Sequence, residues 1–123
     1  MKKLLLATTA VAFTAGLASA DEIKIGVILG FTGPIESLTP PMAQGAELAM
    51  SEVSESGELL GGSTVTAVRG DSTCIDSGAA TAVAERQITS DGVKGIMGAD
   101  CSGVTGAILS NVALANGMVM ISP

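Results

Sequence analysis

GIMGADCSGVTGA, residues 95–107, is the stretch that decides the fold, because it predicts a buried strand that opens directly into a helix. Ser102 is the predicted N-cap of that helix, whose first N–H groups point outward with partial positive charge. A junction of this kind binds anions, so a ligand carboxylate is the expected occupant. The candidate ligand-binding residues are Ser102, Thr105 and Cys101. Two alternatives remain open: Ser102 caps the helix and binds no ligand, and Thr105 hydrogen-bonds the backbone of the cap rather than a ligand.

From Glu22 onward, the order of strand, loop, helix and glycine repeats three times along the chain. Apolar runs rich in β-branched residues predict four strands in all, at residues 23–29, 64–69, 93–97 and 118–122. Strands that alternate with helices form a parallel sheet with right-handed crossovers. The predicted fold class is therefore α/β, a doubly wound parallel sheet.

Three helices are predicted between the strands from the spacing of apolar residues. Pro40 and Pro41 precede the first helix, and Asp76 is the predicted N-cap of the second. Each helix is expected to end at a glycine, namely Gly57, Gly92 and, after Asn116, Gly117. The side chains expected to face the sheet are, in chain order, Met42, Ala46, Ala49 and Val53, then Ala79, Ala80, Val83 and Ile88, then Val104, Ala107, Ile108, Val112 and Ala115.

The loops that follow the strands of such a sheet emerge at one edge, and ligands bind there. These loops are residues 30–40, 70–75 and 98–101. The fourth strand is expected to reach the same edge at Ser122, one residue before the sequence ends. An open sheet that stopped here would expose an apolar edge, so we expect the chain to be a fragment of a longer protein.

Residues 1–20 have the pattern of a secretory signal peptide and are excluded from the predicted fold. Two lysines supply the positive start, residues 4–17 are apolar but short for a bilayer span, and residues 18–20 supply small side chains for cleavage. The alternative is an uncleaved membrane anchor. We expect cleavage before Asp21, so that residues 21–123 form a partial ligand-binding lobe that is exported and not embedded in the membrane.

Charge and residue types exclude several function classes. The formal net charge is −6, with 12 acidic against 6 basic side chains, and loss of the signal lysines makes it more negative. A nucleic-acid partner is therefore not expected. There is no histidine, and the methionines show no metal-ligand pattern and are expected to fill the core. No metal or other cofactor is predicted.

Catalysis is also disfavoured. Ser102 or Cys101 could act as a nucleophile, but the sequence has no histidine to serve as a base and no GxSxG motif. Asp100 is the neighbouring acid, and we expect it to be a solvated loop carboxylate. The loop GFTGP, residues 30–34, fails as a dinucleotide fingerprint because Ile28 stands where the first glycine is needed. The alternative is a plain turn, but the length of the loop, about ten residues between a buried strand and a helix, favours ligand contact.

Cys74 and Cys101 both lie in loops expected at the ligand edge, in a chain that the signal sends to an oxidising compartment. A disulfide between them is the favoured prediction, and it would contribute about 3 to 4 kcal/mol to stability by the chain-entropy relation. The alternative is two unpaired thiols, one of them a nucleophile.

Five stretches together resemble one family, the periplasmic binding proteins for leucine, isoleucine and valine. The resemblance runs from Ile23 to Pro123 in an exported chain, with the motifs in the order of the family. The stretches are IKIGVILGFTGP at 23–34, QGAELAM at 44–50, DSTC at 71–74, GIMGADCSGVTGA at 95–107 and GMVMISP at 117–123.

The resemblance implies a type I periplasmic binding protein fold, in which two α/β lobes close over one amino acid and present it to a membrane ABC permease. This chain would supply the first part of the amino-terminal lobe, without the second lobe. Cys74 and Cys101 fall where family members form a disulfide, and Ser102 falls where they hold the ligand α-carboxylate. The implied protein is a periplasmic monomer that binds a small, branched-chain amino acid, is not an enzyme and needs no cofactor.

The ligand class and the cellular role have alternatives. Family members often carry an aromatic residue in the first loop where this chain has Glu36, Ser37 and Leu38, so an amide, urea or an aromatic acid is an alternative ligand. A ligand-sensing domain of a membrane receptor on the same fold would need a downstream membrane segment. A secreted α/β hydrolase would need a downstream histidine.

Overall fold

The computed structural model describes residues 20–123, and the predicted signal peptide, apart from Ala20, lies outside the described residues. The described chain contains four strands that form one sheet: β1 (Glu22–Leu29), β2 (Thr64–Asp71), β3 (Gly95–Gly98) and β4 (Met120–Ile121). All paired strands are parallel, and their order across the sheet is β2-β1-β3-β4. The predicted parallel α/β sheet is confirmed, with the first strand at its centre.

β3 and β4 are shorter than predicted. Val93 is buried, but its N–H donates to the Gln87 carbonyl at 3.1 Å, which closes the turn before β3 instead of extending the strand. The N–H of Met118 likewise donates to the Ala113 carbonyl at 2.9 Å, so this residue completes the preceding helix end. Their apolar neighbours in sequence predicted that Val93 and Met118 belong to strands. Their local hydrogen bonds place both residues in turns instead.

The helices are α1 (Thr39–Ser56), α2 (Ser77–Arg86), α3 (Ser102–Ile108) and the short α4 (Leu114–Asn116). A 3-10 turn, Leu59–Gly61, precedes β2. π turns extend two of the helices: Gln87–Asp91 follows α2, and Leu109–Ala113 joins α3 to α4. Left-handed glycines follow α1, the first π turn and α4, at the predicted positions Gly57, Gly92 and Gly117.

Two apolar layers cover the sheet, because successive residues of β1 face opposite sides. Val27 and Leu29 pack with Ala43 of α1 on one side. Ile28 faces the other side, where α2 and α3 cover the sheet. The buried members of that second layer are Ile28, Ala80, Ala84, Val93, Ile96, Ala99, Val104, Ile108 and Val112.

The face that α1 presents to the sheet differs from the prediction. Thr39 and Ala43 are buried, whereas Ala49 and Val53 are exposed. The Thr39 hydroxyl donates to the Gly30 carbonyl at 3.1 Å, and this bond fixes the start of the helix with Thr39 turned inward. The buried row of α1 therefore consists of Thr39 and Ala43. Of the residues predicted to face the sheet, Ala49 and Val53 do not, so the prediction was wrong for these two.

The π turns explain two further differences. Ala113 is buried and Ala115 is exposed, because the π turn before α4 shifts the buried face relative to a regular helix. Gln87 opens the other π turn and is fully buried, where its amide donates to the Val68 carbonyl at 2.8 Å. Ile88, which was predicted to lie on the buried stripe, is only partly buried beside this glutamine.

Candidate functional site

Asp100 joins the loops that follow three different strands. One carboxylate oxygen accepts a hydrogen bond from the N–H of Gly30, after β1, at 2.8 Å. The other accepts from the hydroxyl of Ser72, after β2, at 3.4 Å. The Ser72 hydroxyl is fully buried and in turn accepts from the N–H of Cys74 at 3.3 Å. The prediction of a solvated carboxylate at Asp100 was wrong, because the ends of the neighbouring strands present donors to it.

A disulfide joins two of the same loops. Cys74 and Cys101 are bonded to each other with a Cα–Cα distance of 5.2 Å, as predicted. Gly30 lies directly against this bridge, since a Cβ added there would be 3.2 Å from the Cβ of Cys74. The loops after β2 and β3 are therefore held both covalently and through Asp100, with the loop after β1 packed on the bridge.

The amino terminus of α3 lies beside the bridge. Cys101 is the N-cap, with an extended backbone (φ −116°, ψ 126°), and no side chain caps the helix. Ser102 is the first helical residue, and its side chain is exposed. The prediction that Ser102 is the N-cap was wrong by one residue, because Cys101 is the last residue with extended backbone. The α2 helix differs, since Asp76 caps it by accepting from the Ala79 N–H at 2.9 Å, as predicted.

Thr105 bonds the backbone at the start of the helix. Its hydroxyl lies 2.9 Å from the carbonyl oxygens of Ala99 and of Cys101, and it donates to them. The hydroxyl of Ser122, after β4, also donates to the Ala99 carbonyl at 2.6 Å. Of the two predicted roles for Thr105, the structure shows the backbone contact. All four strand ends thus meet within one hydrogen-bonded group of loops.

The loop after β1 is also bound to the end of β2. Asp71 accepts from the Thr32 N–H at 3.2 Å, from the Thr32 hydroxyl at 2.6 Å and from the Thr73 N–H at 2.8 Å. Burial by itself raises the pKa of Asp71, but these hydrogen bonds outweigh it and hold the pKa below its ordinary value. The carboxylate is therefore charged at neutral pH and organises both loops.

Phe31, the aromatic residue of this loop, lies against a charged side chain. The Arg69 guanidinium is 5.4 Å from the ring centroid of Phe31. Its Nε and Nη2 atoms donate to the two carboxylate oxygens of Glu47 on α1, at 2.6 and 2.8 Å. The hydrogen bond from Arg69 lowers the pKa of Glu47. Arg69 is thus fixed on both sides, by a bidentate ion pair and by a cation–π contact.

The group of loops offers neutral donors and not a set of metal ligands. Within residues 20–123, no three His, Cys, Asp or Glu side chains form a cluster that could hold a metal ion. None of the helices in the same described range is both long enough and apolar enough to cross a bilayer.

The exposed hydroxyl of Ser102 and the uncapped N–H groups of α3 form a surface suited to an anion.

Comparison with known proteins assigns the family. The family model described as "Periplasmic binding protein" matches residues 22–123, which is nearly all of the described chain. The chain belongs to the periplasmic binding protein family. The Leu/Ile/Val-binding protein homolog 3 of Brucella melitensis is 34% identical over 125 residues, and the match covers 100% of this chain and 33% of that protein. The Leu/Ile/Val-binding protein of Escherichia coli is 32% identical over 122 residues, covering 99% and 32%. The chain thus spans about a third of the length of these relatives.

Solved structures of periplasmic binding proteins have the same fold. The branched-chain amino acid transporter substrate-binding protein LivJ of Streptococcus pneumoniae, in complex with isoleucine, matches with a TM-score of 0.74 and 28% identity, covering 84% of this chain and 29% of that one. A solute-binding protein of R. palustris, in complex with 4-hydroxybenzoate, matches with a TM-score of 0.68 and 25% identity, covering 83% and 27%. The fold is therefore that of part of the amino-terminal lobe of a type I periplasmic binding protein.

Sequence reasoning missed two carboxylates of this periplasmic binding protein lobe. Asp71 is the last residue of β2, and Asp100 follows β3. Each carboxylate accepts a hydrogen bond from the loop after β1. The available signal was position, because an acid directly after a parallel strand faces the backbone donors of the neighbouring strand ends. A solvated role was predicted for Asp100, because carboxylates in loops are mostly exposed, and no role was predicted for Asp71.

Proposed function

We propose that this chain is the first part of a solute-binding protein that captures a branched-chain amino acid and delivers it to an ABC importer. The observation that carries the proposal is the uncapped amino terminus of α3, with the exposed Ser102, at the carboxyl edge of the sheet. Relatives named as Leu/Ile/Val-binding proteins and the LivJ structure with isoleucine support the ligand class. Residues 1–20 are proposed as a cleaved signal, residues 21–123 as a partial lobe, and a second lobe as its continuation.

The ligand carboxylate is bound by donors and not by a formal cation in this proposal. The Ser102 hydroxyl and the first N–H groups of α3 donate to it, while Cys101 supplies the fixed residue from which the helix begins. Thr105 lies one turn further along α3, where its hydroxyl donates to the Cys101 carbonyl and so holds the backbone of the N-cap in place. Closure of a second lobe would exclude water and strengthen these hydrogen bonds. No bond of the ligand is made or broken, so the proposed role is binding alone.

An aromatic carboxylic acid is the second candidate ligand. The protein of R. palustris was solved with 4-hydroxybenzoate, and its similarity to this chain is close to that of LivJ. A benzoate and an α-amino acid share the carboxylate that the α3 amino terminus would bind. They differ in the ammonium group and in the shape of the apolar part, which other surfaces of the site must recognise.

The proposed location and partners follow from the proposed role. A periplasmic solute-binding protein delivers its ligand to the permease of an ABC importer, and we propose the periplasm as the location of the exported chain. We also propose a monomer, since closure of two lobes of one chain completes the site without a second copy. Amino-terminal mass spectrometry of the exported protein would show Asp21 as the first residue if cleavage occurs as proposed. Retention of residues 4–17 would favour an anchored receptor.

Calorimetric titration of the full-length protein tests the ligand class. Leucine, isoleucine and valine should bind, whereas the amines that lack the carboxylate should bind at least about tenfold more weakly, because they lose hydrogen bonds to a charged group. Binding of 4-hydroxybenzoate with no binding of the three amino acids would replace the amino-acid proposal by the aromatic-acid one. Equal binding of leucine and its decarboxylated amine would contradict the role of the α3 amino terminus.

A further inference from the structure

Asp100 is placed to set the geometry of the ligand edge. It is the side chain whose two carboxylate oxygens reach loops from two other strands, at Gly30 and at Ser72. It stands immediately before Cys101, the N-cap of α3. A residue in this position determines where the loop after β1 lies relative to the proposed carboxylate-binding N–H groups.

The contacts of Asp100 are made within a packed group of atoms. Ser72 is fully buried, and its hydroxyl bridges the Asp100 carboxylate to the N–H of Cys74. The Gly30 N–H is a backbone donor in a buried residue, and Asp100 is its hydrogen-bond acceptor. Removal of the carboxylate would leave a buried donor without a partner, which costs more than the net value of the bond. The loop would then move until water reached the donor.

We propose that Asp100 is a positioning residue that holds the loop after β1 against the amino terminus of α3. Its effect on ligand affinity rests on the proposed function, because it acts through the placement of Ser102 and of the loop that begins at Gly30. The disulfide fixes the loops after β2 and β3 to each other, and Asp100 adds the loop after β1 to that pair.

Three variants of the full-length protein test this proposal. Asp100→Ala removes both acceptors. Asp100→Asn keeps an oxygen for the Gly30 N–H, but its NH2 group cannot accept the proton that the Ser72 hydroxyl donates. Ser54→Ala is the matched control, because the Ser54 oxygen also accepts from a backbone N–H of another element, that of Val65 at 2.8 Å. That contact links α1 to the opposite, amino-terminal end of β2.

Amide hydrogen exchange reports the position of the loop without any ligand. In Asp100→Ala the Gly30 amide should exchange at least about tenfold faster. The Thr64 amide, which donates to the Asp21 carbonyl at 3.0 Å at the opposite end of the sheet, should keep its rate as an internal reference. An unchanged Gly30 rate would overturn the proposal. If the parent protein binds no amino acid, the proposed function fails, and this measurement alone decides the role of Asp100.

Leucine titration separates positioning from general stability. Asp100→Ala should bind leucine about tenfold more weakly, and Asp100→Asn should bind within about threefold of the parent, because the asparagine oxygen keeps the Gly30 contact that positions the loop. Ser54→Ala should lower the melting temperature and leave affinity unchanged. Equal affinity of Asp100→Ala and the parent, or an equal loss in Ser54→Ala, would overturn the proposal, because the effect would then be absent or merely structural.

Discussion

Asp71 and Thr32 share two hydrogen bonds, one to the backbone N–H of Thr32 at 3.2 Å and one to its hydroxyl at 2.6 Å. The two residues belong to different strand ends, so a single carboxylate fixes the loop after β1 to the carboxyl end of β2. The same carboxylate accepts from the N–H of Thr73. This arrangement depends on the carboxylate being ionised.

Stability should fall at acid pH as Asp71 becomes protonated. Its folded-state pKa lies below the ordinary value of 3.8. The carboxylate therefore stabilises the fold fully above that value, and the stabilisation is lost as the pH falls through the lower folded-state pKa. Thr32→Val, which lacks the hydroxyl donor, should raise the pKa of Asp71 toward the ordinary value and reduce this loss.

Two measurements test these effects. Carbon-13 NMR titration gives the pKa of the Asp71 carboxyl, and urea unfolding at steps of about one pH unit, from about pH 2 to about pH 7, gives the free energy of unfolding. Thr89→Val is the matched control, because the Thr89 hydroxyl donates to the carbonyl of Glu85 within its own helical segment. A pKa of Asp71 that is the same in Thr32→Val and in Thr89→Val would contradict the prediction.

Ser102→Ala should weaken leucine binding and leave the fold as stable as before. Loss of a hydrogen bond to a charged group costs about 1.5 to 3 kcal/mol of binding free energy. The Ser102 side chain is exposed and does not cap α3, so the free energy of unfolding should change by less than about 0.5 kcal/mol. Calorimetric titration and thermal unfolding measure the two effects. Ser110→Ala, at another exposed helical serine, should change neither, and unchanged affinity in Ser102→Ala would remove this residue from the site.

Replacement of both Cys74 and Cys101 by serine should lower stability by about 3 to 4 kcal/mol, because the bridge closes a loop between residues 27 apart in sequence. Urea unfolding of the parent and the variant measures the difference. A reducing agent should destabilise the parent by a similar amount and should not affect the variant. Peptide mapping that found two freely alkylatable thiols in the folded parent would contradict the bridge.

Gly98→Ala should destabilise the fold by at least about 2 kcal/mol, because Gly98 has a φ of +136° and an added Cβ would overlap the carbonyl of Ile28. Gly106→Ala is the matched control within α3. Its added Cβ meets nothing within 4 Å, and alanine favours the helix over glycine by about 0.5 to 1 kcal/mol. Denaturant unfolding should therefore shift in opposite directions for the two variants, and a stable Gly98→Ala protein would show that the close approach is not required.

The sequence predicted those features of the fold that repeat along the chain. Apolar runs identified β1 and β2 to within a few residues, and Asp76 was found as a cap because its side chain acts on the helix that follows it. The disulfide was also predicted, since the parallel topology brings the loops of Cys74 and Cys101 to one edge. These features depend on local patterns or on topology alone.

Features that depend on the placement of single atoms were not predicted. The N-cap of α3 is Cys101 and not Ser102, because the backbone changes from extended to helical after Cys101, and the residue types on either side do not signal that position. The π turn at Leu109–Ala113 changes which alanine is buried, and no residue pattern signals it. Asp100 was assigned to solvent because its donors lie on loops distant in sequence, where periodicity carries no information.

The central place of β1 in the sheet has a consequence for the order of events during synthesis. β1 is the first strand of the described residues, and its partners β2 and β3 come later in the chain, after α1 and after α2. Parallel strands cannot pair across a tight turn, so the middle of the sheet stays open until the later strands emerge. A polypeptide with this strand order is slow to become compact from its amino terminus. For the export that we propose for this chain, that delay would keep the polypeptide extended while it crosses a translocation channel.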